Sequence, residues 1–114
     1  MMTPERIHEL NKVCAEVCGK EVYWEEHGKK WCLESDYFTE WSPCTDASQM
    51  AQVKQALREK GYGWATAWDQ EDQVFRALIQ PSRGARVIIE KAHASSELMA
   101  FALAVEAMRK EGRC

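Results

Sequence analysis

Three segments of the sequence repeat apolar residues at the three- and four-residue spacing of an amphipathic helix, and short aromatic-rich segments bounded by turn residues lie between them. The predicted helices cover residues 4–18, 46–60 and 95–112. The predicted strands cover residues 22–24, 31–33, 64–68, 74–79 and 86–90. Antiparallel strands joined by short turns and covered by helices predict an α+β domain with a mostly antiparallel sheet of four or more strands.

Capping residues mark the ends of the first helix and the start of the second. Thr3 followed by Pro4 is typical of a helix start, and Gly19 is typical of a helix end. Thr45 or Asp46 is expected to cap the second helix.

Length and charge exclude several classes of protein. The 114 residues suit a single domain over 1–114 with one modest core. A net charge of −3 argues against general nucleic-acid binding, which depends on neutralising phosphates. The longest uncharged apolar stretch, residues 98–105, is too short to span a bilayer, and the amino-terminal residues show no secretory signal. We therefore expect a cytoplasmic protein with no membrane partner.

The segment 42–46 (SPCTD) raises the question of catalysis, because a cysteine just before a helix can be held as a reactive thiolate. None of His8, His27 and His93 falls in a recognisable catalytic signature, and a helix cap explains the segment without chemistry. We expect no catalytic role for Cys44 and a thiol pKa near the ordinary value of about 8.5. A small enzyme that uses Cys44 as its nucleophile is the last alternative.

Cysteine spacing also bears on metals and cofactors. Cys14 and Cys18 lie four residues apart on one helix face, a spacing that could hold a metal with a distant histidine. Both also fall in the apolar stripe, where cysteines behave as small hydrophobes. We predict no metal site and no cofactor.

Two features favour ligand binding. The turn 80–86 (QPSRGAR) carries Arg83 and Arg86, and backbone N–H groups with guanidinium groups can hold a phosphate. The same turn also suits a simple hairpin with solvated arginines. Trp64 and Trp68 share one face of a predicted strand, where a ring can stack on a planar ligand or anchor a protein interface. These four residues are the predicted ligand surface.

Charge and tryptophan content suggest protein partners as well. Residues 21–46 carry seven acidic side chains against Lys29 and Lys30. In this alternative, Glu25, Glu26 and Glu34 dock on a basic surface of a host protein. Five tryptophans and an apolar last helix leave more apolar surface than one small core hides, which predicts a homodimer.

The order of these elements resembles the phage ABA sandwich domain family over nearly the whole chain. The Trp-rich hairpin, the segments SPCTD and EKGYGW, and the last helical segment AHASSELMAFALAVEAM carry the resemblance. It implies an α/β/α sandwich, with a sheet layered between helices, in a small phage or prophage protein. It brings no established catalytic residues.

The leading hypothesis follows from this resemblance. It is a non-catalytic phage accessory protein in the bacterial host cytoplasm, which counteracts host defence by sequestering a small phosphorylated molecule such as a signalling nucleotide. Arg83 and Arg86 would then bind phosphate, and Trp64 or Trp68 would stack on the ring. The first alternative is an acidic inhibitor that binds a host protein.

Overall fold

The computed structural model describes residues 3–81, 88–94 and 96–110; for residues 37, 38, 81 and 88–94 it describes the backbone. Three helices and six strands occupy this part of the chain. In chain order they are α1 (Pro4–Cys18), β1 (Val22–Glu25), β2 (Lys30–Leu33), β3 (Asp36–Glu40), α2 (Ala47–Glu59), β4 (Tyr62–Asp69), β5 (Val74–Pro81), β6 (Ile88–Ala94) and α3 (Glu97–Lys110). The α+β class and the three predicted helices are confirmed.

The strands form two separate antiparallel sheets, sheet A with the order β1-β2-β3 and sheet B with the order β4-β5-β6. The expected sheet of four or more strands is therefore wrong for the described ranges. α1 contacts sheet A on one side and α2 and α3 on the other, while α2 and α3 contact sheet B. The helices thus lie between the two sheets, which is the reverse of the layering that an α/β/α sandwich implies.

The division into two sheets follows from the route of the chain after β3. The sequence did not predict β3, which pairs with β2 through a register shift between Cys32 and Leu33. Trp41 and Pro43 are buried side chains in the turn that leads into α2. α2 then packs against α1, and β4 begins after α2 ends. β3 and β4 are thus edge strands of different sheets and do not pair.

Local capping fixes the ends of α1. The hydroxyl of Thr3 accepts a hydrogen bond from the N–H of Arg6 at 3.2 Å, and Pro4 occupies the first turn, where a missing donor costs nothing. Gly19 ends the helix in the left-handed conformation, with φ of 68°. The predicted boundaries of this helix are confirmed.

The core fills the space between the helices and the inner face of sheet B. Residues of one contiguous buried cluster come from all three helices, from β5 and from the turn before α2; its largest members are Trp41, Phe101, Leu10, Met50, Leu57 and Ile79. No helix in the described ranges is long and apolar enough to cross a membrane.

Candidate ligand-binding cleft

A cleft of about 270 Å³ opens between the first half of α1, sheet A and the turn of residues 42–45. We call it the α1 cleft. Pro4, Ile7 and Trp31 form its apolar lining, and polar side chains surround them. Clefts with an apolar lining and a few converging polar groups are typical binding sites for small molecules, and the volume of this one lies just below the roughly 300–1,000 Å³ usual for such sites.

The helical repeat brings the α1 residues of the cleft together. Pro4, Ile7, His8 and Asn11 follow the i, i+3, i+4, i+7 spacing of a helix and so lie on one face of α1, toward sheet A. The same repeat puts Leu10 and the remaining buried residues of α1 on the side of the other helices.

Two tryptophans attach sheet A to this helix face. The indole Nε1 of Trp31 donates a hydrogen bond to the main-chain oxygen of His8 at 3.0 Å. The Nε1 of Trp41 donates to the main-chain oxygen of Asn11 at 2.8 Å. Each indole N–H therefore has its partner, and the rings are held in place as the wall and floor of the cleft.

Aromatic contacts fix Trp31 further. Its ring packs edge-to-face on Trp24 with the centroids 5.3 Å apart, and Trp24 packs in the same manner on His8 at 4.9 Å. The ammonium group of Lys12 lies 5.3 Å from the centroid of Trp31. This cluster keeps the cleft wall rigid without a ligand.

Asn11 is the most unusual polar residue of the cleft, because it is 2% exposed and lies within the apolar stripe of α1. Its side-chain oxygen accepts a hydrogen bond from the N–H of Cys44 at 3.0 Å. This contact fixes the orientation of the amide, since the nitrogen cannot accept. Among the described residues no buried side-chain nitrogen or oxygen is without a partner, so the amide nitrogen of Asn11, which donates to none of them, reaches the cleft surface.

The remaining polar groups belong to sheet A and the turn after β3. Lys30 and Glu40 line the cleft with opposite charges, and the hydroxyls of Ser42 and Thr45 lie 2.6 Å apart beside them. Gln49 holds the turn, because it accepts from the N–H of Ser42 and donates to the carbonyl of Glu40, each at 2.6 Å.

Cys44 is placed away from solvent. It is 1% exposed, and burial raises the pKa of its thiol to about 12. The expectation of an ordinary thiol pKa is therefore wrong, because burial penalises the thiolate. Asp46, not Cys44, faces the start of α2, where its side chain accepts from the N–H of Gln49 at 3.1 Å. This geometry suits a cap and disfavours a nucleophile.

The predicted ligand surface on sheet B is only partly described. Trp64 is half-buried: its ring packs edge-to-face on Phe101 at 5.7 Å, and the Lys54 ammonium lies 4.6 Å from its centroid. Trp68 is 46% exposed, and its Nε1 donates to Gln70 at 3.1 Å. The Trp68 ring also packs edge-to-face on Phe75, with the centroids 4.9 Å apart, so both rings take part in packing and Trp68 is the more exposed of the two.

Arg83 and Arg86 lie outside the described residues. The phosphate site predicted there stays a prediction.

The acidic residues proposed for a protein partner have different surroundings. Glu25 closes the hairpin of sheet A, since its carboxylate accepts from the N–H groups of His27 and Gly28. Glu26 is exposed. The carboxyl of Glu34 shares a hydrogen bond with Glu21, which raises the pKa of Glu34. Two carboxyl groups are thus held together at the exposed end of sheet A.

Cys14 lies in the core, and Cys18 lies at the edge of the core. Cys14 is fully buried, and burial raises the pKa of its thiol, while Cys18 is half-buried at the end of α1. Within the described ranges, no three His, Cys, Asp or Glu side chains converge as metal ligands would.

Sequence reasoning missed the α1 cleft. The available signal was the polar Asn11 within an apolar stripe, one position after Leu10, where a hydrophobic residue would be expected in a buried helix face. No sequence pattern indicated that the turn of residues 42–45 also lines the cleft, because the contact of this turn with α1 depends on tertiary packing.

Comparisons of this chain with family models, curated proteins and solved structures gave no match.

Proposed function

We propose that the protein is a non-catalytic binding protein that sequesters a small molecule with a flat ring and at most one phosphate, held in the α1 cleft. Asn11 is the observation that carries this proposal. The N–H of Cys44 holds the side-chain oxygen of Asn11, which leaves the amide nitrogen to donate to an acceptor of a ligand in the cleft. Ile7 and Trp31 offer the apolar surface for a ring.

The two opposite charges in the cleft support a ligand with at most one phosphate. Lys30 provides one cation, and Glu40 provides an anion in the same cleft. A single phosphate can face Lys30, but a chain of phosphates would also approach the carboxylate of Glu40 and be repelled. A nucleoside or nucleoside monophosphate fits this balance better than a di- or triphosphate.

The proposal keeps the biological setting that the family resemblance implies: a phage or prophage protein of the bacterial cytoplasm that acts against host defence by removing a signalling molecule. Trp68, with Arg83 and Arg86, is the second possible location for a ligand of this kind.

Calorimetric titration with adenosine, AMP, cyclic AMP and ADP tests the proposal. Lys30→Gln is expected to weaken AMP binding about tenfold, as the loss of a charge-assisted hydrogen bond does, and to leave adenosine binding unchanged. Lys29→Gln is the matched control, since Lys29 is the neighbouring exposed residue and does not line the cleft.

Three results would contradict the α1 cleft as the site. The first is that no member of the panel binds, and the second is that Lys29→Gln and Lys30→Gln weaken AMP equally. The third is that Trp68→Ala removes binding while Lys30→Gln does not, which would move the site to the surface of sheet B.

The second candidate function is an acidic protein inhibitor, and the Glu21–Glu34 pair favours it. Like charges held in contact are unfavourable, and a cationic side chain of a partner would relieve the repulsion. Titration with a poly-lysine peptide tests this surface. Glu34→Gln and Glu26→Gln are expected to weaken binding, and Glu71→Gln, in the β4–β5 turn, is the control. Equal effects of all three variants would show only net-charge attraction.

A further inference from the structure

We infer that the outer edge of β4 pairs with the same edge of a second copy of this chain, so that sheet B continues across a twofold axis as one antiparallel sheet. This inference is independent of the ligand proposed for the α1 cleft. It gives the expected homodimer a specific interface.

The position of β4 in sheet B leaves one of its edges open. β5 is the only described strand that pairs with β4, and it does so along all eight residues of β4. An eight-residue strand extends about 26 Å. The N–H and C=O groups on its outer side are arranged to accept another strand.

Residues 62–68 of β4 lack the features that keep edge strands of monomeric proteins from pairing. Such edges usually carry a charged residue, a proline or a bulge. Residues 62–68 contain no charge and no proline, the β4–β5 register is continuous, and the one charge of β4, Asp69, lies at its last position. The other described edge strands, β1, β3 and β6, have at most three uncharged residues in succession. β4 thus presents the longest uncharged strand edge of the described sheets.

Symmetry limits how two copies of β4 can pair. A twofold axis perpendicular to the sheet makes the strands antiparallel and puts the helices of both copies on the same side of the joined sheet. The axis must then pass between the two copies of one residue. An axis between the two copies of Ala65 pairs all of residues 62–68 and leaves Asp69 to its ion pair with Arg76 at 2.5 Å.

The exposed tryptophan is accounted for by this register. Trp68 is the exposed large hydrophobic side chain of the described ranges. With the axis between the two copies of Ala65, each Trp68 lies across from Tyr62 of the other copy, on the same face of the sheet. A second copy supplies this aromatic partner at both ends of the ladder, because the pairing is symmetric. A strand of another protein would need an aromatic residue at the matching position.

The opposite face of β4 also permits close approach. Gly63, Ala65 and Ala67 are exposed there, and their small side chains leave the backbone accessible. A ladder of this length buries less surface than a standard protein interface, so the dimer is expected to dissociate at micromolar concentration.

Light scattering and hydrogen exchange over a dilution series test the inference. At high concentration we expect a mass of twice the 13.1 kDa chain and protected amides along β4, with both lost together on dilution. Ala65→Lys puts two like charges opposite each other at the axis and is expected to weaken dimerisation at least about tenfold. Gln80→Lys is the matched control, because Gln80 is exposed on the same face of the sheet but lies on β5.

A monomer at all concentrations would overturn the inference. So would a dimer whose β4 amides exchange at the same rate at high and low dilution, since its interface would lie elsewhere. Equal weakening by Ala65→Lys and Gln80→Lys would point to the exposed face of sheet B instead of its edge. Circular dichroism of the variants confirms that each remains folded.

Discussion

Arg6 in α1 and Glu106 in α3 form a two-pronged ion pair between residues 100 positions apart in the chain. Both terminal nitrogens of the guanidinium donate to the Glu106 carboxylate, whose side chain is 11% exposed, and the Lys110 ammonium lies 3.5 Å from the same carboxylate. The pair raises the pKa of Arg6 and lowers the pKa of Glu106. It therefore connects α1 to α3 on the surface of the core.

Loss of this pair is expected to destabilise the protein. Glu106→Gln removes the charge but keeps the shape, and we expect it to lower the free energy of unfolding by about 2 kcal/mol, because Arg6 loses a charge-assisted partner. Glu16→Gln is the control: Glu16 pairs with Arg109 at 2.9 Å but is 42% exposed, so its loss should cost less than about 1 kcal/mol. Urea denaturation measures the free energy of unfolding of both variants. Equal losses would show that the Arg6–Glu106 pair stabilises the protein no more than the exposed Glu16–Arg109 pair.

The same pair predicts a pH dependence. The folded-state pKa of Glu106 lies below its ordinary value of 4.5, mainly because Arg6 donates hydrogen bonds to it. Its contribution to stability is therefore complete above that ordinary value and is lost as the pH falls through the lowered pKa. The difference in unfolding free energy between wild type and Glu106→Gln should be constant near neutral pH and shrink under acid conditions. If the difference in unfolding free energy between the two proteins grows under acid conditions, the pKa of Glu106 is not lowered in the folded state.

The thiol of Cys44 should resist alkylation in the folded protein. Burial and a pKa of about 12 leave almost no accessible thiolate at mildly alkaline pH. Mass spectrometry after a timed exposure to iodoacetamide should show modification of Cys18, which is half-buried, well before Cys44. Both should react once urea unfolds the chain. Rapid labelling of native Cys44 would restore the alternative of a cysteine-dependent enzyme.

Asn11→Ala should weaken the connection between α1 and the turn after β3. The N–H of Cys44 would lose its acceptor in a buried environment, at a cost of about 1–3 kcal/mol. The hydrogen bond from Trp41 to the main chain of Asn11 is retained in the variant, which should limit the change to this site. Gln55→Ala, on the exposed face of α2, is the control. Thermal unfolding that is unchanged by Asn11→Ala would show that the amide has no structural role.

Gly19→Ala tests the end of α1. No atom lies within 4 Å of an added Cβ, so the expected loss of about 1 kcal/mol comes from the left-handed backbone alone. Gly63→Ala has ordinary strand geometry and a nearest contact of 3.8 Å, so it should be neutral or slightly stabilising. If both substitutions cost the same in denaturant titration, the conformation of Gly19 is not what ends the helix.

The helices could be predicted because their signals are local. Thr3, Pro4 and Gly19 act on the backbone within a few residues, and the apolar spacing of each helix is visible in a short window. The first hairpin was recognisable for the same reason, since Glu25 closes its turn within three residues. Each of these features depends on neighbours in the sequence.

The number of sheets was not predictable in this way. Whether β3 continues toward β4 depends on the buried turn at Trp41 and Pro43 and on where α2 leads the chain afterwards. No local pattern separates one sheet of many strands from two small sheets, because strand propensity is the same in both. The edge strand β3 has mixed composition, DYFTE, and carried too weak a pattern to be assigned.

The sequence by itself determined the α+β class, the ends of α1 and the cap at the start of α2, because capping and apolar periodicity act over a few residues. Only the tertiary structure decided that α1 lies between sheet A and the other helices, that Asn11 and the turn of residues 42–45 meet at one cleft, and that Arg6 reaches Glu106. These contacts join residues far apart in the chain, and their formation depends on the packing of the whole core.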